Sequence, residues 1–142
     1  MASGCRPALL AAALAACGPA IAQEVPQPVF LPLKGAAPGA FSYARLSDIQ
    51  VFLDASPTRC AVILVNGEEI RAFQRCEEIT SKLSHDGFLS LPSSFGAALL
   101  APGFVTSLIA QSDGSCRLNL RNGRWIPARL ACAAVRETLE GR

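Results

Sequence analysis

The sequence predicts a small, β-rich α+β domain: a duplicated strand-strand-strand-helix unit closed by two disulfides. Three observations carry that expectation: a stretch repeated with its cysteines in register, an Asn-Gly pair at the same place in each copy, and an export pattern at the amino terminus. CAVILVNGEEIRAFQRC, Cys60 to Cys76, returns 56 residues later as CRLNLRNGRWIPARLAC, Cys116 to Cys132. Aligned without gaps, the copies agree at seven of seventeen positions: both cysteine pairs, Leu64 with Leu120, Asn66-Gly67 with Asn122-Gly123, Ile70 with Ile126 and Ala72 with Ala128.

Residues 1–22 have the three parts of an export signal. Arg6 lies in a short leading region, an apolar run extends from Ala8 to Cys17, and Gly18-Pro19 precedes Ala20-Ile21-Ala22. The run falls short of the roughly 20 residues an α-helix needs to cross a bilayer. Cleavage after Ala22 would leave Gln23 first. Leu14-Ala15-Ala16-Cys17 also resembles the lipobox of bacterial lipoproteins, which would end the signal at residue 16 and attach lipid to Cys17.

Residues 23–45 form a lead with Pro26, Pro28, Pro32 and Pro38, which is expected to be extended because proline lacks the amide that helices and central strands require. A single globular domain is expected over 46–142, with repeat units 46–85 and 104–142. Neither unit buries enough surface to fold alone, so the two should share one core.

Within each unit an apolar run (VFLDAS and SLIAQS) predicts a first strand, and Asn-Gly predicts a hairpin with a two-residue turn, because that pair tolerates positive φ. In that register Phe73 would face Cys60. Ile79 with Leu83, and Val135 with Leu139, recur at helical spacing after the second cysteine of each unit. Between the units, Ser94 reads as the cap of a one-to-two-turn helix ending before Pro102-Gly103.

Cys60, Cys76, Cys116 and Cys132 remain as an even set once the signal is removed, which in an oxidising compartment predicts two disulfides. Pairing within each unit keeps the duplication symmetric. The fifteen residues separating each pair do not match the close pairs of a structural zinc site. No metal or other cofactor is expected.

A chain of 142 residues with 51% apolar content and a formal charge of +2 fits one globular domain, and so small a net charge argues against nucleic acid as a partner. His85, the only histidine, stands beside Asp86 in a turn, where a helix-end role is expected rather than general-base chemistry. Glu68-Glu69 and Glu77-Glu78 are adjacent pairs whose side chains diverge. Nucleophile elbows, phosphate loops and metalloprotease signatures are absent from the sequence, so no enzyme is expected.

The charge pattern differs between the hairpins. Cys116 to Cys132 carries Arg117, Arg121, Arg124 and Arg129 and no acid, whereas Cys60 to Cys76 sets Glu68 and Glu69 against Arg71 and Arg75. The two-residue turn would place Arg121 opposite Arg124, with Arg117 on the same face and Trp125 on the other, opposite Leu120. This basic hairpin is the expected contact surface for an anionic group. The functional expectation is an exported, non-catalytic periplasmic or envelope binding module. Its partner would be an envelope protein or an anionic envelope component, with the membrane reached only through Cys17. The alternative is a small disulfide-stabilised inhibitor or protection factor acting on an enzyme.

Overall fold

A computed structural model describes residues 27–141. The signal pattern and Cys17 lie outside the described residues. Among the described residues, ten strands and two helices follow in the order β1 (Phe30–Lys34), β2 (Phe41–Arg45), β3 (Ile49–Ser56), β4 (Arg59–Leu64), β5 (Glu69–Ala72), α1 (Cys76–Thr80), β6 (Leu89–Ser93), β7 (Gly96–Leu100), β8 (Val105–Ala110), β9 (Cys116–Leu120), β10 (Trp125–Ala128) and α2 (Cys132–Glu140). The class is β-rich α+β.

Three antiparallel sheets result: β1-β2, β5-β4-β3-β7-β6 and β10-β9-β8. The five-stranded sheet is the middle layer, which explains why β3 and β4 read as nearly continuous apolar runs. On one side Phe52 and Val62 join Leu31 and Leu33 of β1 and Ile79 of α1 in a buried cluster. On the other, Val51 and Ile63 pack with Leu118, Ile126 and Val135. β9 alternates instead, with Cys116, Leu118 and Leu120 buried and Arg117 and Asn119 half-buried, so the outer sheet has one covered face and one facing outward.

Corresponding features of the two cysteine-framed segments recur at the same 56-residue offset. Short 3-10 turns, Leu46–Asp48 and Pro102–Phe104, lead into β3 and β8. Ile49 pairs with Leu64 and Val51 with Ile63, skipping Gln50; Val105 pairs with Leu120 and Ser107 with Asn119, skipping Thr106. Each skipped residue is a β-bulge. The Val65 amide donates to Asp48 O and the Arg121 amide to Phe104 O, both at 2.8 Å.

The hairpins turn through three residues, not two. Leu64 N donates to Glu68 O and Gly67 N to Leu64 O, and the second hairpin repeats this with Leu120, Arg124 and Gly123. Gly67 and Gly123 both have φ of +89°, the left-handed residue that closes such a loop. Asn66 and Asn122 each accept the amide two residues on through the side-chain oxygen. The extra residue shifts the register, so Cys60 faces Ala72 and Cys116 faces Ala128. An alanine opposite each cysteine leaves room for the sulfur to reach the start of the following helix.

Cys60 is bonded to Cys76 and Cys116 to Cys132, each across a sequence separation of 16. Each bridge ties a strand start to a helix start. Asp54 Oδ1 also accepts the Cys76 amide at 3.0 Å, capping α1; Ala110 stands at the same offset in the second segment and cannot do so.

The helix expected from Ser94 is a hairpin instead. β6 and β7 pair from Leu89–Leu100 to Ser93–Gly96 and turn at Ser94-Phe95. Leu91, Ala98 and Leu100 point into the second cluster, and alternation over five residues is better served by a strand beside β3 than by an isolated short helix. Pro92 is tolerated because β6 is an edge strand. The proline-rich lead contributes a paired hairpin, Phe30–Arg45 to Lys34–Phe41.

Replacing Cys116 and Cys132 together by serine is expected to lower the unfolding free energy by about 3 kcal/mol. Urea denaturation of the oxidised protein and the double variant measures this; dithiothreitol, which opens both bridges, should take the wild type below the midpoint of the oxidised variant, which keeps Cys60–Cys76.

Candidate functional site

The outward face of the three-stranded sheet is assembled by register. Ser107, Asn119 and Trp125 form one cross-strand row; Ile109, Arg117 and Pro127 form the next. The three-residue loop puts Trp125 opposite Asn119, on the same face as Arg117, rather than opposite Leu120 and away from it. Trp125 is 50% exposed, and the Arg117 guanidinium carbon sits 4.6 Å from its ring centroid. Arg117 Nε donates to Asn119 Oδ1 at 3.0 Å, and Asn119 Nδ2 donates to Ser107 Oγ at 2.9 Å. The polar row thus holds the arginine by Nε, and its two terminal nitrogens have no hydrogen-bond partner among the described residues.

A second arginine is held the same way. Glu69 and Arg71 project from the face of the middle sheet that carries Ile63 and Ala61, the side on which the outer sheet packs. Arg71 Nε donates to Glu69 Oε2 at 2.6 Å. Arg124 Nη2 donates to Glu69 Oε1 and its Nη1 to Gly67 O at 3.0 Å. Arg124 is therefore a bridge between the hairpins, whereas Arg71 spends only Nε on the carboxylate.

Glu69, Arg71, Phe95, Arg124, Trp125 and Pro127 line a groove of 200 Å³ where the two sheets meet. Burial pushes the Glu69 carboxyl up, but the hydrogen bonds and charges of Arg71 and Arg124 outweigh it and hold the group below the usual carboxylate range. Asp54 and Glu69 balance Arg71 and Arg124 in the groove lining, and Arg117 adds a positive charge on the adjoining sheet face.

The other residues of the expected basic hairpin are dispersed. Arg121 does not face Arg124; its Nη2 donates to Gly103 O at 3.2 Å. Arg129 is exposed beyond β10, beside Asp113 and Ser115. His85 is exposed, with Nε2 2.9 Å from Thr80 O, and the Asp86 amide donates to Ser84 Oγ. Sequence reasoning missed Arg71, Glu69, Phe95, Asn119 and Ser107 as parts of one surface. The different charge patterns of the two hairpins were the available signal, because an acid of the balanced hairpin meets an arginine of the basic one.

No family model matches this sequence, and no curated protein matches it. Among solved structures, the fold is similar to the LytTr DNA-binding domain of a response regulator from Bacillus cereus. The TM-score is 0.55 at 15% identity, over 82% of this chain and 100% of that one. At that identity the likeness is one of fold.

The likeness overturns two expectations drawn from the sequence. A periplasmic non-catalytic module, with an inhibitor as its alternative, gives way to a fold shared with a DNA-binding domain. The exclusion of nucleic acid, with an envelope protein or anionic envelope component as the partner, falls on the same finding. That exclusion rested on a net charge of +2 over 142 residues, which does not describe local charge: four arginines and no acid lie between Cys116 and Cys132.

A carboxyl whose folded pKa is depressed stabilises the fold above its unfolded value, about 4.3, and that contribution is lost as pH falls through the folded value. The native protein should lose stability on acidification below about pH 5, and Glu69→Gln should lack that part of the loss. Arg71 and Arg124 are 59% and 38% exposed, so the cost of the substitution at pH 7 should stay within about 1 kcal/mol. Denaturation midpoints at pH 7 and pH 4 compare the two; identical acid sensitivity would show that the Glu69 pair stores no stability.

Proposed function

We propose that the chain is a DNA-binding domain that grips the phosphate backbone with Arg71 and Arg117, beside the half-exposed ring of Trp125. The observation that carries this reading is the shared way in which the two arginines are held. Each is oriented through Nε, by Glu69 or Asn119, and each leaves a planar pair of terminal nitrogens open. That fork matches two phosphate oxygens, and its orientation is set before binding. Trp125 and Phe95 add apolar surface along the groove, and Asn119, Ser107 and Thr106 add hydrogen-bonding groups on the same sheet. The fold likeness to a DNA-binding domain supports the same reading.

Export remains part of the proposal. The pattern in residues 1–22 and two closed disulfides support an oxidising compartment, with release after Ala22 or lipid attachment at Cys17 as the processing routes. The domain is read as non-catalytic. Descent from one duplicated strand-strand-strand-helix unit is likewise proposed; the common 56-residue offset of the bulges, glycine-closed loops and disulfides supports it.

Trp125 is the only tryptophan, which makes its fluorescence a direct report on the surface. Titration with duplex DNA should quench it, and log K should fall linearly with log salt at about 0.9 per phosphate contacted. Arg71→Ser and Arg117→Ser should each lower that slope by about one, while Arg136→Ser on α2 leaves it unchanged. Absence of quenching at low salt, or unaltered slopes in both the Arg71 and the Arg117 variant, would refute the assignment.

A further inference from the structure

A cavity of 620 Å³ shares no lining residue with the groove at Trp125. Its walls are apolar: Leu46 follows β2, Phe52 belongs to β3, Leu83 and Phe88 flank the turn after α1, and Leu99 belongs to β7. The Phe52 and Phe88 ring centroids lie 5.8 Å apart at a tilt of 54°. A volume of this size, with apolar walls and a few polar groups at its edge, has the character of a small-molecule site.

The polar groups define what such a molecule must carry. Arg45 lines the cavity, and its guanidinium carbon lies 4.6 Å from the ring centroid of Phe30, which stands outside the lining. Among the described residues, no carboxylate forms an ion pair with it. His85 lines the same cavity, its Nε2 directed to Thr80 O. Asp86 completes the charged lining and repels any negative charge near it, so a single carboxylate is favoured on the Arg45 side and a second is opposed.

We propose that this cavity binds an apolar monocarboxylic acid, with its hydrocarbon body against Phe52, Phe88 and Leu99 and its carboxylate on Arg45. The proposal is independent of the DNA-binding reading, because it uses a different part of the molecule. The walls supply affinity by removing apolar surface from water, and Arg45 supplies discrimination through a charge-assisted hydrogen bond.

Octanoate and octan-1-ol share a hydrocarbon body and differ in the head group, so calorimetric titration of the purified protein with each separates the two contributions. Octanoate should bind about tenfold more tightly than the alcohol, the difference that one charged hydrogen bond makes. Arg45→Ala should reduce octanoate to the affinity of the alcohol while leaving the alcohol unchanged. In the wild-type protein, octanoate should show nuclear Overhauser contacts to Phe88 and Leu99. Equal affinities for the two probes, no saturable binding of octanoate, or contacts confined to other residues would each overturn the proposal.

Discussion

The arrangement of the sheets depends on one junction, the seating of the second hairpin tip against the first. Gln50 is 1% exposed and occupies a bulge in the middle strand, where its side-chain oxygen must find a donor or cost free energy. Asn122 supplies it, with Nδ2 3.1 Å from Gln50 Oε1 and 2.8 Å from Leu64 O. Arg124 adds its bonds to Gly67 O and Glu69 two residues on. Polar groups buried between apolar layers tolerate few geometries, so this junction fixes how the three-stranded sheet lies on the five-stranded one. Apolar packing of Val51 and Ile63 on Leu118 and Ile126 would by itself allow more than one alignment.

Fixing that alignment also builds the groove. Glu69 could not bracket two guanidiniums unless the second hairpin brought Arg124 beside β5; Arg71 is held by Glu69 within its own strand. Arg71 and Arg117, each held by a neighbour on its own sheet, lose side-chain freedom on folding rather than on binding, which lowers the entropic cost of gripping an anion. Charge is concentrated by the same means. The acids of the chain are spent elsewhere: Asp54 caps α1, Asp113 accepts from Ser115, and Glu78 accepts the Arg75 amide. In the groove Glu69 is the acid that pairs with arginine, while Asp54, which also lines it, is engaged by the Cys76 amide.

Much of this was legible in the residues and some was not, for reasons that can be named. The cysteine spacing, the Asn-Gly pair and the alternation of CRLNL pointed to hairpins, bridges and an outward face carrying Arg117, because side-chain period and turn chemistry are local properties. Loop length was not legible. Asn-Gly serves a two-residue turn and also the last two places of a three-residue one, and the difference of one residue moves Trp125 to the face of Arg117. The stretch Leu89 to Leu100 misled because Ser94 can cap a helix, while the strand it forms depends on a neighbour, β3, more than thirty residues away. Arg71 and Glu69 joined the surface only through tertiary docking, although the opposed charges of the two hairpins foreshadowed it.

The disulfides and the proposed DNA surface are compatible because they use opposite faces of the same strands. In β9 the side chains alternate, so Cys116 lies on the buried face with Leu118 and Leu120 while Arg117 and Asn119 lie on the other. In β4 and β5, Cys60 and Ala72 share the face toward the first cluster, while Ala61 and Arg71 share the face toward the groove. A bond on the inner face restrains the strand's position and twist without occupying the outer one. Covalent closure therefore stiffens the backbone from which Arg71 and Arg117 project. A domain of roughly this size gains little from burial alone, so that stiffness is also what keeps a surface of long, charged side chains in one arrangement.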